Sequence, residues 1–170
     1  IDFAAEHRHI PFISLKITGF ARFALLEKLN NGAQANNDEQ AEWQRVFTRI
    51  DSICSQAAAK NVMVLIDAEE TWIINPSNEL TEAMMEKYNK VRVVVFNTYQ
   101  LYCSGTLPFL EESIAKAKNL GYLLGAKLVR GAYMEKERLR AAKMEYPDPI
   151  QPDKAATDRD FDQAVELCLN

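Results

Sequence analysis

Short apolar runs alternate with amphipathic helical patterns along most of this chain of 170 residues. Four of the apolar runs predict β-strands, at residues 12–17, 62–66, 92–96 and 126–130. The last three begin at intervals of roughly 30 residues, which is the length of one β-α-β unit. Strands that are separated by helices in this order favour a parallel sheet. The sequence therefore predicts one α/β domain, or part of one.

The helical patterns between the runs carry recognisable start and stop signals. Apolar residues recur at three- and four-residue steps over 43–57, which predicts a long helix that covers the sheet. Ser77 or Asn78 is the predicted cap of the next helix. Gly121 is the predicted end of the third, and the hydroxyl of Thr157 is the predicted cap of the last.

A polar side chain lies at or just beyond the end of each predicted strand. These residues are Lys16, Asp67, Gln100 and Arg130. In parallel β/α architectures the carboxyl ends of the strands form the functional face, so we expect the four side chains to converge there. Each one alone could equally be a solvated loop residue. Four such polar residues at the same end of consecutive strands favour a functional site.

The segment 125–134 is the most specific of these strand ends. Here an apolar strand ends in Arg130, Gly131 and Tyr133. Gly131 has no Cβ and lets a flat or anionic ligand approach the backbone, while Arg130 can donate two parallel hydrogen bonds to such a ligand. The alternative is a strand terminus with a surface ion pair.

The acidic run 67–70 has a second chemical meaning. Asp67 and Glu69 could hold Mg²⁺, because carboxylate oxygens suit hard cations. Against this, the neighbouring strand ends bring a glutamine together with a lysine and an arginine, and the positive charges of the last two would compete with a metal ion. His7 and His9 lie near no cysteine pattern, so packing or exposure is favoured over ligation.

Composition excludes several classes of function. The net charge of −4 and the scattered lysines argue against a nucleic-acid surface. No run of about 18 apolar residues is present that would predict a membrane span. Cys54, Cys103 and Cys168 form no Cys-x-x-Cys pair, which favours reduced thiols in a cytosol-like compartment.

Four segments of the chain resemble the proline dehydrogenase family and occur in the family's order. They are residues 14–19, 67–70, 97–102 and 127–134. The resemblance implies a distorted (β/α)8 barrel of the TIM type that binds FAD, of which residues 1–170 supply about half, strands 1–4. It also implies oxidation of L-proline to Δ1-pyrroline-5-carboxylate, with hydride passing to the flavin and electrons going on to a quinone.

The same resemblance implies roles for individual residues. Lys16 contacts the substrate carboxylate, Tyr133 packs beside that lysine, and Asp67 lies beside the flavin. Gln100 is similar to the glutamine that hydrogen-bonds the isoalloxazine ring. The remaining cofactor contacts implied are Lys127, Arg130, Gly131 and Ala132.

Only four of the eight barrel strands are predicted, and the arginine pair that clamps the substrate carboxylate in the family has no counterpart here. We therefore expect the fragment to be inactive without the remaining half of the barrel. Rival interpretations are a Mg²⁺-dependent barrel lyase or aldolase, and a non-catalytic half-barrel module. The implied location is the bacterial cytoplasm or inner-membrane face, or the mitochondrion in a eukaryote, and a peripheral membrane association of the full protein fits a quinone acceptor.

Overall fold

A computed structural model describes residues 1–169 and contains one parallel sheet. The strands lie in chain order, so each is hydrogen-bonded to the next along the sequence. This confirms the predicted α/β class with parallel β/α units. The strands are β1 Phe12–Lys16, β2 Met63–Asp67, β3 Val95–Gln100 and β4 Ala126–Val129.

Helices connect the strands and follow the last one. A short 3₁₀ turn, Ile17–Gly19, follows β1 directly, and a second, Thr71–Ile73, follows the loop 68–70 after β2. The α-helices are α1 Asp2–Glu6, α2 Phe23–Asn30, α3 Asn37–Ala59, α4 Ile74–Tyr88, α5 Thr106–Leu120, α6 Met134–Met144 and α7 Lys154–Leu169.

The third strand lies later in the chain than the prediction of 92–96. The side chain of Asn89 explains where it begins, since its Oδ1 accepts hydrogen bonds from the backbone N–H groups of Val94 and Val95, each at 2.9 Å. The polar residues that follow remain in the strand because their side chains find partners; the Thr98 hydroxyl, for example, donates to the Ile66 carbonyl at 2.8 Å. Gln100 therefore ends β3 instead of following it.

Two of the predicted helix caps are wrong. Helix α4 begins at Ile74, so Ser77 and Asn78 lie inside its first turns. The apolar pattern does not reveal this start, but a proline at position 76 is compatible with the first turn of a helix. Helix α7 is capped by Asp153, whose Oδ1 accepts from the Ala156 N–H at 2.7 Å. The predicted stop at Gly121 is confirmed by its left-handed φ of 65°.

The two faces of the sheet have different surroundings. Val64 and Ile66 are at most 1% exposed and belong to the main core, together with Ile50 and Cys54 of α3. The opposite face carries Phe12, which is 45% exposed, and every second residue after it on β1 is exposed as well. In a closed barrel such a face lines the interior. This open face carries the candidate site.

Candidate active site

The carboxylate of Asp67 is the centre of the polar groups on the open face. Strand register pairs it with Lys16. Its Oδ1 accepts a hydrogen bond from Lys127 Nζ at 2.5 Å, and its Oδ2 accepts one from Ser14 Oγ at 2.9 Å. Strand β3 lies between β2 and β4, so the Lys127 side chain reaches across it. The ion pair thus joins two strands that are not neighbours.

Lys16 lies at the end of β1 and contacts a tyrosine in the connection between β4 and α6. Its Nζ donates to the hydroxyl of Tyr133 at 2.8 Å and lies 3.7 Å from Glu69 Oε2. The hydrogen bond to Tyr133, with the nearby carboxylates of Glu69 and Asp67, raises the pKa of Lys16 above its usual range. The Lys16 side chain is 49% exposed, so a positive charge remains available to a ligand.

Gln100 is held by two acceptors at the end of β3. Its Nε2 donates to the backbone carbonyl of Glu69 at 2.9 Å and to the hydroxyl of Tyr102 at 2.7 Å. The whole residue is 3% exposed. These contacts connect Gln100 to the loop after β2, where Glu69 also accepts a hydrogen bond from Thr18 at 2.7 Å.

Helix α6 fixes the position of Tyr133, which immediately precedes it. The Glu137 carboxylate is 1% exposed and accepts two hydrogen bonds from Thr71, one from its N–H and one from its hydroxyl, both at 2.7 Å. Lys136, one residue earlier, pairs with Glu70. The helix is therefore anchored to the loop that follows Asp67, and this brings Tyr133 over Lys16.

Arg130 does not join this cluster, which corrects the expectation that four strand ends converge. Its guanidinium lies 3.2 Å from Asp158 and 3.7 Å from Asp162, and 3.9 Å from the ring centroid of Phe161, all on α7. The physical reason is strand alternation. Lys127 faces Asp67, and a residue three positions later emerges on the opposite side, towards the helices.

Gly131 and Ala132 lie in the exposed connection between β4 and α6. A Cβ at position 131 would lie 3.3 Å from the Met134 sulfur, which is a close contact. Glycine therefore leaves room for the Met134 side chain. It also keeps the backbone accessible on its outer side.

The polar contacts favour an organic ligand over a metal ion. The carboxylates of Asp67 and Glu69 are already engaged by lysines and hydroxyl groups. Within residues 1–169, no group of three or more His, Cys, Asp or Glu side chains is arranged to hold a metal ion. Two ammonium groups, a phenol and an amide remain on one rim, which is a set that can bind a carboxylate and a flat ring that takes up negative charge.

Sequence reasoning missed Tyr102 and Glu137, which organise the site without facing it. Tyr102 is fully buried, and it belongs to the segment 97–102, which is one of the four that resemble the proline dehydrogenase family. Glu137 looks in sequence like one of many charges on an exposed helix. A buried carboxylate at this position gives no signal in the sequence, because its partner lies 66 residues away.

The sequence profile of the proline dehydrogenase family matches residues 2–170. The chain belongs to this family. Among curated members, it is 41% identical over 134 residues to mitochondrial proline dehydrogenase 1 of Caenorhabditis elegans, covering 79% of this chain and 21% of that protein. It is 38% identical to hydroxyproline dehydrogenase of Xenopus laevis, covering 100% of this chain and 42% of that protein. This proline dehydrogenase family chain thus spans less than half the length of these relatives.

Solved structures show the same fold. Proline utilization A from Bdellovibrio bacteriovorus superposes with a TM-score of 0.77 over 92% of this chain, which corresponds to 15% of that one. The sequence identity is 17%, so the likeness concerns the fold alone. Within residues 1–169 of this family member, no helix is both long and apolar enough to cross a membrane.

Proposed function

We propose that the full-length protein is an FAD-dependent enzyme that oxidises L-proline to Δ1-pyrroline-5-carboxylate. Membership of the proline dehydrogenase family supports the reaction class. The observation that carries the proposal is a pair of contacts on one rim: Lys16 on Tyr133 at 2.8 Å, beside Lys127 on Asp67 at 2.5 Å. These contacts bring together two positive charges from the two edge strands of the sheet, β1 and β4.

Lys16 is the proposed anchor for the carboxylate of the substrate. Its pKa is raised by Tyr133 and the nearby acidic groups, so the ammonium is protonated at every physiological pH. Tyr133 holds the lysine from one side through its hydroxyl and thereby limits where the carboxylate can bind. A substrate fixed at its carboxylate presents its ring in one orientation, which a hydride transfer at contact distance requires.

The residues present fit a flavin. Alternate residues of β1 on the open face are exposed, Gly131 is exposed next to the rim, and Lys127 offers a cation. FAD, when bound, supplies the hydride acceptor. Lys127 would stabilise the negative charge that develops there, and Asp67 would keep Lys127 in place. Gln100, Gly131 and Ala132 are the further proposed contacts.

Arg130 is also proposed as a cofactor residue. Its partners on α7 are compatible with this role, because ion pairs between exposed groups contribute little to stability and are readily exchanged. The Arg130 and Asp158 side chains are 50% and 33% exposed. A phosphate group would be a competing anion for the same guanidinium.

No covalent nucleophile is needed for this reaction, and the thiols fit that view. Burial raises the pKa of Cys54 and of Cys103 to about 12, so little thiolate exists at neutral pH. Electrons are proposed to leave for a membrane quinone. Curated relatives from Caenorhabditis elegans and Homo sapiens are named mitochondrial, so a mitochondrial location is proposed if the protein is eukaryotic, and the bacterial cytoplasm or inner-membrane face otherwise.

The test uses the full-length protein. We expect flavin absorbance and proline-dependent reduction of a dye, and we expect Lys16→Met to raise KM for proline far more than it lowers kcat. Lys118→Met, at an exposed position on α5, is the matched control and should change neither constant. Metal-dependent activity without flavin would favour the lyase or aldolase interpretation. Neither flavin nor dye reduction would favour a non-catalytic module.

Hydroxyproline is a second candidate substrate, because hydroxyproline dehydrogenase of Xenopus laevis aligns with the whole of this chain. The contacts that would recognise a ring hydroxyl are not among those described above. The ratio of kcat/KM for L-proline and for L-hydroxyproline, measured on the same full-length preparation, decides between the two. A ratio below one would replace the first proposal with the second.

A further inference from the structure

The orientation of the Gln100 amide is fixed by chemistry. One of its two terminal atoms lies 2.9 Å from the backbone carbonyl oxygen of Glu69. A carbonyl can only accept, so the atom that faces it must be the nitrogen. The same nitrogen lies 2.7 Å from the Tyr102 hydroxyl. Both N–H groups of the Gln100 amide are therefore used within the protein.

This count leaves Gln100 Oε1 as the polar atom of the amide that is free to meet a ligand, and that atom is an acceptor. Strand alternation puts Gln100 on the same face as Thr98, whose register partner is Lys127. A ligand beside Lys127 would therefore meet an acceptor, and it would need an N–H or O–H group at that point.

Tyr102 is a rigid support for this arrangement. It is fully buried and belongs to a small apolar cluster with Cys103 and Ile150. Its hydroxyl also accepts a long hydrogen bond, 3.4 Å, from the backbone N–H of Tyr133. One phenol oxygen thus connects the amide of Gln100 to the residue that contacts Lys16.

We propose that Tyr102 is a positioning residue that holds the Gln100 amide with its oxygen towards the cofactor, so that the site recognises a ring N–H donor. The inference rests on the proposed function, under which the ligand is the isoalloxazine ring. The oxidised ring has a single N–H group, at N3, and that group is the donor we assign to Gln100 Oε1. Tyr102 itself touches neither the substrate nor the cofactor in this proposal.

The experiment compares two flavins on deflavinated full-length protein, FAD and its 3-methyl analogue, which lacks the N–H donor. We expect the wild type to bind FAD about tenfold more tightly than the analogue, since an acceptor would be left unpaired. Tyr102→Phe should lower this ratio several-fold, because the Glu69 carbonyl is then the one remaining described contact that holds the amide nitrogen. Tyr122→Phe is the matched control: Tyr122 is 6% exposed and its hydroxyl has no partner among the described residues, so the ratio should stay at the wild-type value.

Gln100→Met is the second variant, and it does not depend on how Tyr102→Phe folds. It removes the amide and should abolish the discrimination between the two flavins. If Tyr102→Phe keeps the wild-type ratio, or if wild type and Gln100→Met show the same ratio, the inference is overturned while the proposed function stands. If wild-type protein binds neither flavin and reduces no dye with proline, both are overturned.

Discussion

The buried carboxylate of Glu137 provides the sharpest test of how the site is held together. It accepts two hydrogen bonds from Thr71, one from the backbone N–H and one from the hydroxyl. These two bonds connect α6 to the segment that follows β2. Glu137→Ala removes both acceptors and leaves a part-buried N–H unpaired. We expect α6 to detach more readily, and Tyr133 to lose its fixed position.

The magnitude follows from the contacts. Hydrogen bonds to a charged group contribute about 1.5–3 kcal/mol each, and part of this is offset because the carboxylate no longer has to be desolvated. We expect local opening of α6 to become easier by roughly 2–4 kcal/mol. Since about 1.4 kcal/mol is a factor of ten, backbone amides of α6 should exchange roughly 30- to 700-fold faster.

Hydrogen exchange of the peptide 134–144 in the full-length protein measures this local opening directly. Glu135→Ala is the matched control, because it makes the same change at an exposed position of the same helix and gives the same gain in helix propensity. Equal exchange rates in the two variants would refute the view that Glu137 anchors α6. Faster exchange throughout the protein, instead of in α6, would also contradict it.

Three further outcomes are expected in the full-length protein. Gly125→Ala should destabilise the protein by at least about 3 kcal/mol in urea unfolding, because the added Cβ would lie 2.2 Å from the Val95 carbonyl oxygen. Gly105→Ala is the control, since its added Cβ meets nothing within 4 Å and the variant should fold normally. Arg130→Met should leave the urea midpoint nearly unchanged but reduce FAD occupancy or slow flavin reduction about tenfold; full occupancy with an unchanged reduction rate would remove Arg130 from the cofactor site. The pKa of Lys16 is raised, so its positive charge is fully present below the usual lysine pKa and is lost only as pH rises through the pKa of the folded protein. KM for proline should therefore show no lysine titration between pH 7 and about pH 10. A rise in KM within that range would contradict the assignment of Lys16 as the carboxylate anchor.

Most of the architecture can be predicted from local patterns. The order of apolar runs and helices predicts parallel strands, and the left-handed Gly121 at the end of α5 follows from its lack of a side chain. The third strand is misplaced because Asn89, a residue outside every apolar run, decides where pairing begins. The polar residues at 97–100 are typical of a loop in sequence. Their hydrogen bonds to neighbouring elements explain why they belong to the strand.

The sequence by itself determined that four parallel strands would bring Lys16, Asp67 and Gln100 to one rim, because carboxyl ends of parallel strands lie together. The tertiary structure alone decided which side chains meet. The Lys127–Asp67 pair joins residues 60 apart, and the contact of Lys16 with Tyr133 joins residues 117 apart. Such contacts depend on how α6 packs and on which side of the sheet each chain position emerges, and these are properties of the folded molecule.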